Sequence, residues 1–205
     1  MPILDPLPII VSKPLVLLRL GYRGASQVPE KVSRLIGEVM ETGGALLTPR
    51  TVYEEVEVET AGGAEAVRIG PSHSASSRSL HERLAGCRHA VVFAATVGAP
   101  VEEWTRRLMD SGEMTKGLLA DAFGSGAAIA LGLAVETVAE RLFKERGLAP
   151  TKRYAPGYGD WALADQAPLL SLLDASRIGI TLTEEYLMHP AKSISGIIGG
   201  RSAGE

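Results

Sequence analysis

Apolar positions recur along the chain at two spacings, and the spacing predicts which segments are helices and which are strands. Residues 26–42 have apolar side chains every third or fourth position, with Ser26 as a cap and a Gly-Gly pair at the end, which predicts a helix. The same spacing, or a capped apolar run, predicts further helices over about 75–85, 99–110, 115–146 and in the segment after Trp161.

Alternating or continuous β-branched and apolar residues predict the strands. They are TVYEEVEVETA with EAVRIG as its hairpin partner, the buried HAVVFAATVG, and IGITLTEEYLMHP and KSISGIIGG near the end. The proline-rich opening through Pro14 predicts an extended segment, and PLVLLRLGY after it a strand or short buried segment. This order predicts one α+β unit over 1–205, with residues 1–20 extended, a mixed or antiparallel sheet and a long buried helix.

Composition narrows the class of protein. The 205 residues are 45% hydrophobic and 22% charged with net charge -3, which is typical of a globular protein. No basic stripe is present, so we expect no nucleic-acid partner. Cys87 is the one cysteine, which fits a reducing cytosol. Prolines interrupt the N-terminus, and the apolar run 122–135 is too short to span a bilayer, so a soluble cytoplasmic protein without membrane contact is predicted.

The common catalytic and metal-binding patterns are missing from the sequence. No phosphate loop, dinucleotide fingerprint or nucleophile elbow occurs. The four histidines have no metal-ligand spacing, so no metal site is predicted. A hydrolase using Ser74 or Ser76 with His73 is one alternative, and it requires an acid that the fold would have to place.

Two features stand out from this background. On the long helix, Asp121, Ser125, Gly132 and Glu136 recur near one face, which fits either a ligand groove or tight helix packing through small residues. The second feature is the loop RYAPGYGDW, residues 153–161.

The loop combines groups suited to a flat or charged ligand. Arg153 has a planar fork that suits a carboxylate. Pro156 and Gly157 predict a turn that lets backbone approach a ligand closely. Tyr154, Tyr158 and Trp161 can stack on a flat ligand or a cation. The structural alternative, a rigid cap over the sheet, is disfavoured because a cap needs no arginine there.

The loop resembles the signature Arg-Pro-Ala-Pro-Gly-Tyr-Pro of the activation domain of cobalamin-dependent methionine synthase. The resemblance continues through LLDASRIGITLTEEYLMHPAKSISGIIG, and the preceding helix DAFGSGAAIALGLAVETVAERL is similar to the family's long helix. It is clearest over residues 88–199. It implies the activation-domain fold.

The resemblance also implies a function. Such a domain binds S-adenosylmethionine and supports remethylation of inactive cobalamin: one electron from flavodoxin or a ferredoxin gives cob(I)alamin, which takes the sulfonium methyl group. The cofactor does the difficult chemistry and the protein positions the reactants. As an enzyme, the chain would be a methyltransferase component in methionine biosynthesis, active only with a corrinoid partner.

Site roles follow from the same resemblance. It implies that Arg153 binds the carboxylate of S-adenosylmethionine and that Ala155, Pro156 and Gly157 supply backbone contacts. Tyr158 matches the family tyrosine close to the corrin face, and Glu136 matches an acid on the long helix near the site. Asp160 and Trp161 have no matched role.

Departures from the family indicate how the protein acts. The corrinoid motif Asp-x-His-x-x-Gly is absent: the residues two before the histidines are Pro71, Ser79, Cys87 and Leu187. An acidic ligand contact from the start of the family domain has no counterpart, and the sequence ends at Glu205, before the family's aromatic segment. We therefore expect a free-standing protein acting in trans on a cobalamin-binding methionine synthase without its own activation domain.

Two alternatives keep the fold and change the role. The client is then the corrinoid protein of another methyltransferase system, or the chain is a non-catalytic interaction module. Retention of Arg153 and Tyr158 argues against the second alternative.

Overall fold

Helices and strands alternate irregularly along the chain, as the pattern of apolar positions predicts. The computed structural model describes residues 1–23, 28–60 and 65–202, so the predicted cap Ser26 lies outside the described residues. The helices are α1 Lys13–Arg19, α2 Glu30–Leu46, α3 Arg78–Leu84, α4 Ala99–Asp110, α5 Met114–Lys144 and α6 Gln166–Leu172. The strands are β1 Ile3–Leu4, β2 Arg50–Thr60, β3 Ala66–Ile69, β4 His73–Ser76, β5 Cys87–Thr96, β6 Leu148–Pro150, β7 Thr181–Leu182, β8 Met188–His189 and β9 Ser193–Ser202.

Seven strands form one antiparallel sheet. The strand order is β4-β3-β2-β5-β9-β6, and β1 also pairs with β2. The centre is the long pairing of β5 with β2 and β9, the first with Val52 opposite Ala94 and the second with Val92 opposite Ile197. Strands β7 and β8 form a separate two-stranded ribbon. The predicted α+β class with an antiparallel sheet and a long helix is therefore confirmed.

The sheet is covered on both faces. On one face α5 packs over β5 and β9, burying Phe93, Leu131 and Ile198. On the other face, α3, α6 and the loop after β6 bury Leu80, Trp161 and Leu169. A third cluster, with Ile36 and Phe123, joins α1, α2 and α4 to the first half of α5. The long helix thus lies between the sheet and the helices α1, α2 and α4.

Two predictions about the first third of the chain are wrong. The segment after Pro14 is the short, partly buried helix α1 and not a strand, so residues 1–20 are not extended throughout: Pro14 stands in the first turn of the helix, and Val16 and Leu17 are buried against α5. The Gly-Gly pair does not end α2, which continues to Leu46. Gly43 is a packing residue instead: a Cβ there would lie 2.5 Å from the Phe123 ring.

Helix α5 is long and apolar enough to cross a membrane when length and composition alone are considered. The expectation that its apolar run is too short does not hold, because the run lies inside a helix of 31 residues. Most of it is buried within the protein: 61% of its most apolar window is covered. We interpret α5 as the core helix of a soluble protein.

Candidate functional site

The loop 151–161 lies beside β9 and is held to it by backbone hydrogen bonds. The N–H of Thr151 donates to the Gly199 carbonyl at 2.8 Å. Tyr154 and Ile197 exchange two such bonds, of 3.0 and 2.8 Å. This edge of the sheet therefore fixes the backbone on both sides of Arg153. As a result, the side chains of Arg153 and Tyr154 project into different surroundings.

The Arg153 side chain lies against α5. Its guanidinium occupies the space beside Gly132, where a Cβ would overlap it. Its Nε lies 3.7 Å from Oε1 of Glu136, one helical turn further along α5. The Nη1 atom is buried and has no hydrogen-bond partner among the described residues. The structure thus brings Arg153, Gly132 and Glu136 together, and leaves a guanidinium N–H without an acceptor.

The other predicted site residues form the turn that follows. Tyr158 N–H donates to the Ala155 carbonyl at 3.2 Å, and Gly157 N–H donates to the Trp161 carbonyl at 2.8 Å. Gly157 has φ +87°, so the turn requires glycine there. Pro156 is buried, whereas the Tyr158 side chain is 65% exposed. Because proline has no N–H and that of Gly157 is engaged, these two residues offer a ligand their carbonyls.

Two of the three aromatic residues pack on each other, with Trp161 in the core and the half-buried Tyr154 between it and the smaller cavity described below. Trp161 is 1% exposed and its Nε1 donates to Asp165 at 2.8 Å. The Tyr154 ring stacks on Trp161 with 6.0 Å between centroids and 10° between planes, and its hydroxyl donates to the Tyr158 carbonyl at 3.0 Å. The idea that Tyr154 and Trp161 stack on a flat ligand is therefore wrong. This half of the loop is the rigid cap that the sequence disfavours.

Asp160, which had no assigned role, caps α3. Its carboxylate accepts hydrogen bonds from Ser77 Oγ at 2.7 Å, Arg78 N at 2.8 Å and Ser79 N at 3.1 Å. These bonds, with that of Ser77 first, hold the pKa of Asp160 well below its ordinary value. Asp160 thereby links the loop to the start of α3, where Ser79 lies 81 residues earlier in the chain.

The predicted face of α5 contacts two different cationic side chains. Glu136 and Gly132 face Arg153, whereas Asp121 and Ser125 accept hydrogen bonds from Nζ of Lys192 at 2.7 and 2.9 Å. Sequence reasoning missed Lys192. The available signal was a lone lysine inside an otherwise apolar and small-residue strand motif.

The hydrolase alternative does not fit the strand that carries it. In β4, His73 and Ala75 face inward, whereas Ser74 and Ser76 are exposed on the opposite face. The serines therefore do not face the histidine. Burial lowers the pKa of His73, with Asp165 acting against this shift. Among the described residues, no cluster of His, Cys, Asp and Glu is suited to hold a metal ion.

Arg153 lines neither of two large cavities formed by the described residues. The larger, about 1260 Å³, runs along the acidic part of β2 from Glu54 to Thr60. The smaller, about 750 Å³, is lined by Tyr154 and lies on the side of the loop that faces away from α5. We place the candidate site at Arg153 because of its side-chain chemistry. Volume alone would favour the larger cavity, whose lining lacks matching groups.

The chain is similar to known proteins in sequence and in fold. The model of the family "Vitamin B12 dependent methionine synthase, activation domain" matches residues 86–204. The chain also matches the crystal structure of the MetH reactivation domain bound to AdoHcy, with TM-score 0.70 and 16% identity, over 100% of this chain and 79% of that one. That likeness shows the fold. No curated protein matches the sequence significantly. Since the family model covers more than half of the sequence, the loop and α5 included, the chain belongs to the family of vitamin B12 dependent methionine synthase activation domains.

Proposed function

We propose that this protein binds S-adenosylmethionine between Arg153 and α5 and reactivates a cobalamin-dependent methionine synthase in trans. The carrying observation is the Arg153 guanidinium, held beside Gly132 and Glu136 with a buried N–H that has no acceptor. A buried donor without an acceptor is unfavourable until a ligand supplies one. A carboxylate suits this donor because the guanidinium fork binds its two oxygens together. The AdoHcy bound to the related reactivation domain carries such a carboxylate.

Other groups at the site suit the positive charges of this ligand. S-adenosylmethionine has an ammonium and a sulfonium group. The Glu136 carboxylate is 38% exposed and only loosely paired with Arg153, at 3.7 Å, so it remains available to a cation. The carbonyls of Pro156 and Gly157 are acceptors that suit the ammonium group. Arg153 and Glu136 together thus match a zwitterionic ligand end.

The exposed Tyr158 ring is the point at which a corrinoid partner would approach. It projects from a turn fixed by internal hydrogen bonds, which suits a contact that positions two reactants. When bound on the partner, reduced cobalamin supplies the nucleophile that accepts the methyl group. This chain would hold the methyl donor beside that contact. A flavodoxin or a ferredoxin in the cytoplasm would supply the electron.

The first experiment is calorimetric titration of the full chain with S-adenosylmethionine, beside Arg153→Ala and the control Arg106→Ala. Arg106 is an exposed arginine of α4. We expect saturable binding that Arg153→Ala weakens at least about tenfold, equivalent to about 1.4 kcal/mol, and that Arg106→Ala retains. Equal affinity for all three proteins would contradict the proposed site.

A second experiment tests the function itself. A cobalamin-loaded methionine synthase without an activation domain is mixed with the chain, S-adenosylmethionine and a reducing donor, and methylcobalamin is followed by its absorption. We expect methylation only when the chain is present, and little with Arg153→Ala. Methylation of another corrinoid protein in preference to the synthase would identify a different client. Binding without any methyl transfer would favour an interaction module.

A further inference from the structure

The smaller cavity lies behind the loop, on the side that faces away from Arg153. It has a volume of about 750 Å³, within the range of small-molecule sites. Elements α3, β6, β9 and the start of the loop form its walls, and it is open to solvent. Its lining is Ser79, Glu82, Arg83, Ala149, Pro150, Thr151, Lys152, Tyr154, Arg201 and Ser202.

The lining is strongly cationic. Arg83, Lys152 and Arg201 contribute three positive charges, and none of them pairs with a carboxylate in the described part of the chain. Glu82 is the one acid in the lining, and it accepts a hydrogen bond from Arg78 at 2.9 Å. Asp160, near Ser79, is occupied by its three hydrogen bonds to the start of α3. The cavity therefore has an excess of positive charge.

Both arginines carry buried donors without acceptors. The Nε atoms of Arg83 and Arg201 are buried and lack a hydrogen-bond partner among the described residues. Arg201 donates a long hydrogen bond from Nη2 to the Arg83 carbonyl at 3.5 Å. Its guanidinium also interacts with the Cys87 thiol: burial raises the pKa of that thiol, and Arg201 acts against this larger effect. A buried guanidinium donor without an acceptor is unfavourable, and an anion in the cavity would remove this cost.

The arginines are also positioned by the fold. Arg83 is on α3 and its guanidinium carbon lies 5.5 Å from the centre of the Tyr154 ring, a cation–π contact. Arg201 is on β9, opposite Cys87 of β5. Two guanidinium groups from different elements thus line one cavity without help from a ligand.

We propose that this cavity binds the phosphate group of a small molecule. Arginine forks match tetrahedral phosphate oxygens, and the excess of positive charge fits a group carrying close to two negative charges. A concave site of this volume, with cationic groups on several of its walls, favours a small phosphorylated molecule over a flat partner surface. The site rests on none of the residues proposed to bind S-adenosylmethionine, since Arg153 and Tyr154 project to different sides of the loop.

The test is a titration of the full chain with inorganic pyrophosphate at constant ionic strength, followed by calorimetry and phosphorus NMR. The double variant Arg83→Gln with Arg201→Gln is compared with a control, Arg106→Gln with Arg177→Gln, which removes the same charge at exposed positions outside the cavity. We expect one saturable site, weakened at least tenfold in the double variant and retained in the control.

Each other outcome overturns the proposal. Equal weakening in both variants would show non-specific attraction to net charge, and tighter binding of citrate than of pyrophosphate would show a carboxylate site. Failure of the wild-type chain to bind pyrophosphate saturably would exclude the site. Should the double variant not fold, the exposed Lys152→Gln replaces it, with at least a threefold loss expected and an unchanged affinity refuting the site. Affinity for S-adenosylmethionine should be the same in all variants, which separates this proposal from the function proposed above.

Discussion

The two sides of the loop 153–161 differ in how completely their polar groups are satisfied. On the core side, Trp161, Tyr154 and Asp160 all have hydrogen-bond partners within the protein. On the α5 side, Arg153 has a buried donor without an acceptor and a loose ion pair at 3.7 Å. Folding alone explains the first arrangement, because each group there stabilises the native state. The second arrangement is better explained by a ligand.

The difference teaches where stability and binding reside in one short segment. The core side fixes the turn, and the turn holds Arg153 and Tyr158 at the positions where we propose that a ligand and a partner bind. Substitutions on the core side should therefore lower the free energy of unfolding. Substitutions on the α5 side should lower ligand affinity and leave the free energy of unfolding nearly unchanged.

The largest effect is expected from Trp161→Ala. This removes a fully buried indole from the core, and we expect a loss of about 3–5 kcal/mol in the free energy of unfolding. Urea unfolding followed by circular dichroism measures it. Trp161→Phe is the matched control: it keeps a ring and removes the hydrogen bond to Asp165, so the loss should be clearly smaller. Equal losses would mean that the ring contributes little.

Gly132→Ala should separate the two sides most sharply. The added Cβ would overlap the Arg153 guanidinium, which must then leave its position. We expect at least tenfold weaker binding of S-adenosylmethionine, with stability unchanged or raised by up to about 1 kcal/mol because alanine favours the helix. Gly37→Ala in α2, where the Cβ meets nothing within 4 Å, should raise stability in the same way and leave affinity alone. Unchanged affinity in Gly132→Ala would count against the Arg153 site.

Asp160→Asn should change how stability depends on pH. The pKa of Asp160 is lowered in the folded protein, so its carboxylate contributes stability at pH values above its ordinary pKa of 3.8, and that contribution is lost as the pH falls below this value. The asparagine variant should be less stable at neutral pH and should lose less stability on acidification. Unfolding curves at pH 7 and pH 3 measure both. Asp110→Asn, at the exposed end of α4, should reproduce neither change.

The smallest effect on stability is expected from Tyr158→Ala. The side chain is 65% exposed, so the free energy of unfolding should change by less than about 0.5 kcal/mol. Methyl transfer to the corrinoid partner should nevertheless fall, because the ring is the proposed contact. A large loss of stability would show that Tyr158 belongs with the core side of the loop.

Much of the fold could be predicted because it depends on local pattern. The alternation in β2, the continuous apolar run of β5 and the spacing in α4 each specify an element, since burial of one face or both requires that period. Helix α1 could not be predicted in this way. The segment has only seven residues, most of them apolar, so its helical form depends on packing against α5.

For the candidate site too, local sequence predicts some features and tertiary contacts decide the others. The sequence by itself determined the loop motif and the resemblance to the family, because these depend on residue types at fixed spacing. The choice of Arg153, Glu136 and Tyr158 as site residues follows from that resemblance and stays a prediction. Only the tertiary structure decided which way each side chain faces. It placed Trp161 in the core, gave Asp160 to the start of α3 and Lys192 to Asp121, and left Arg153 beside Gly132. These contacts join residues far apart in the chain, and close packing of the helices on the sheet selects them.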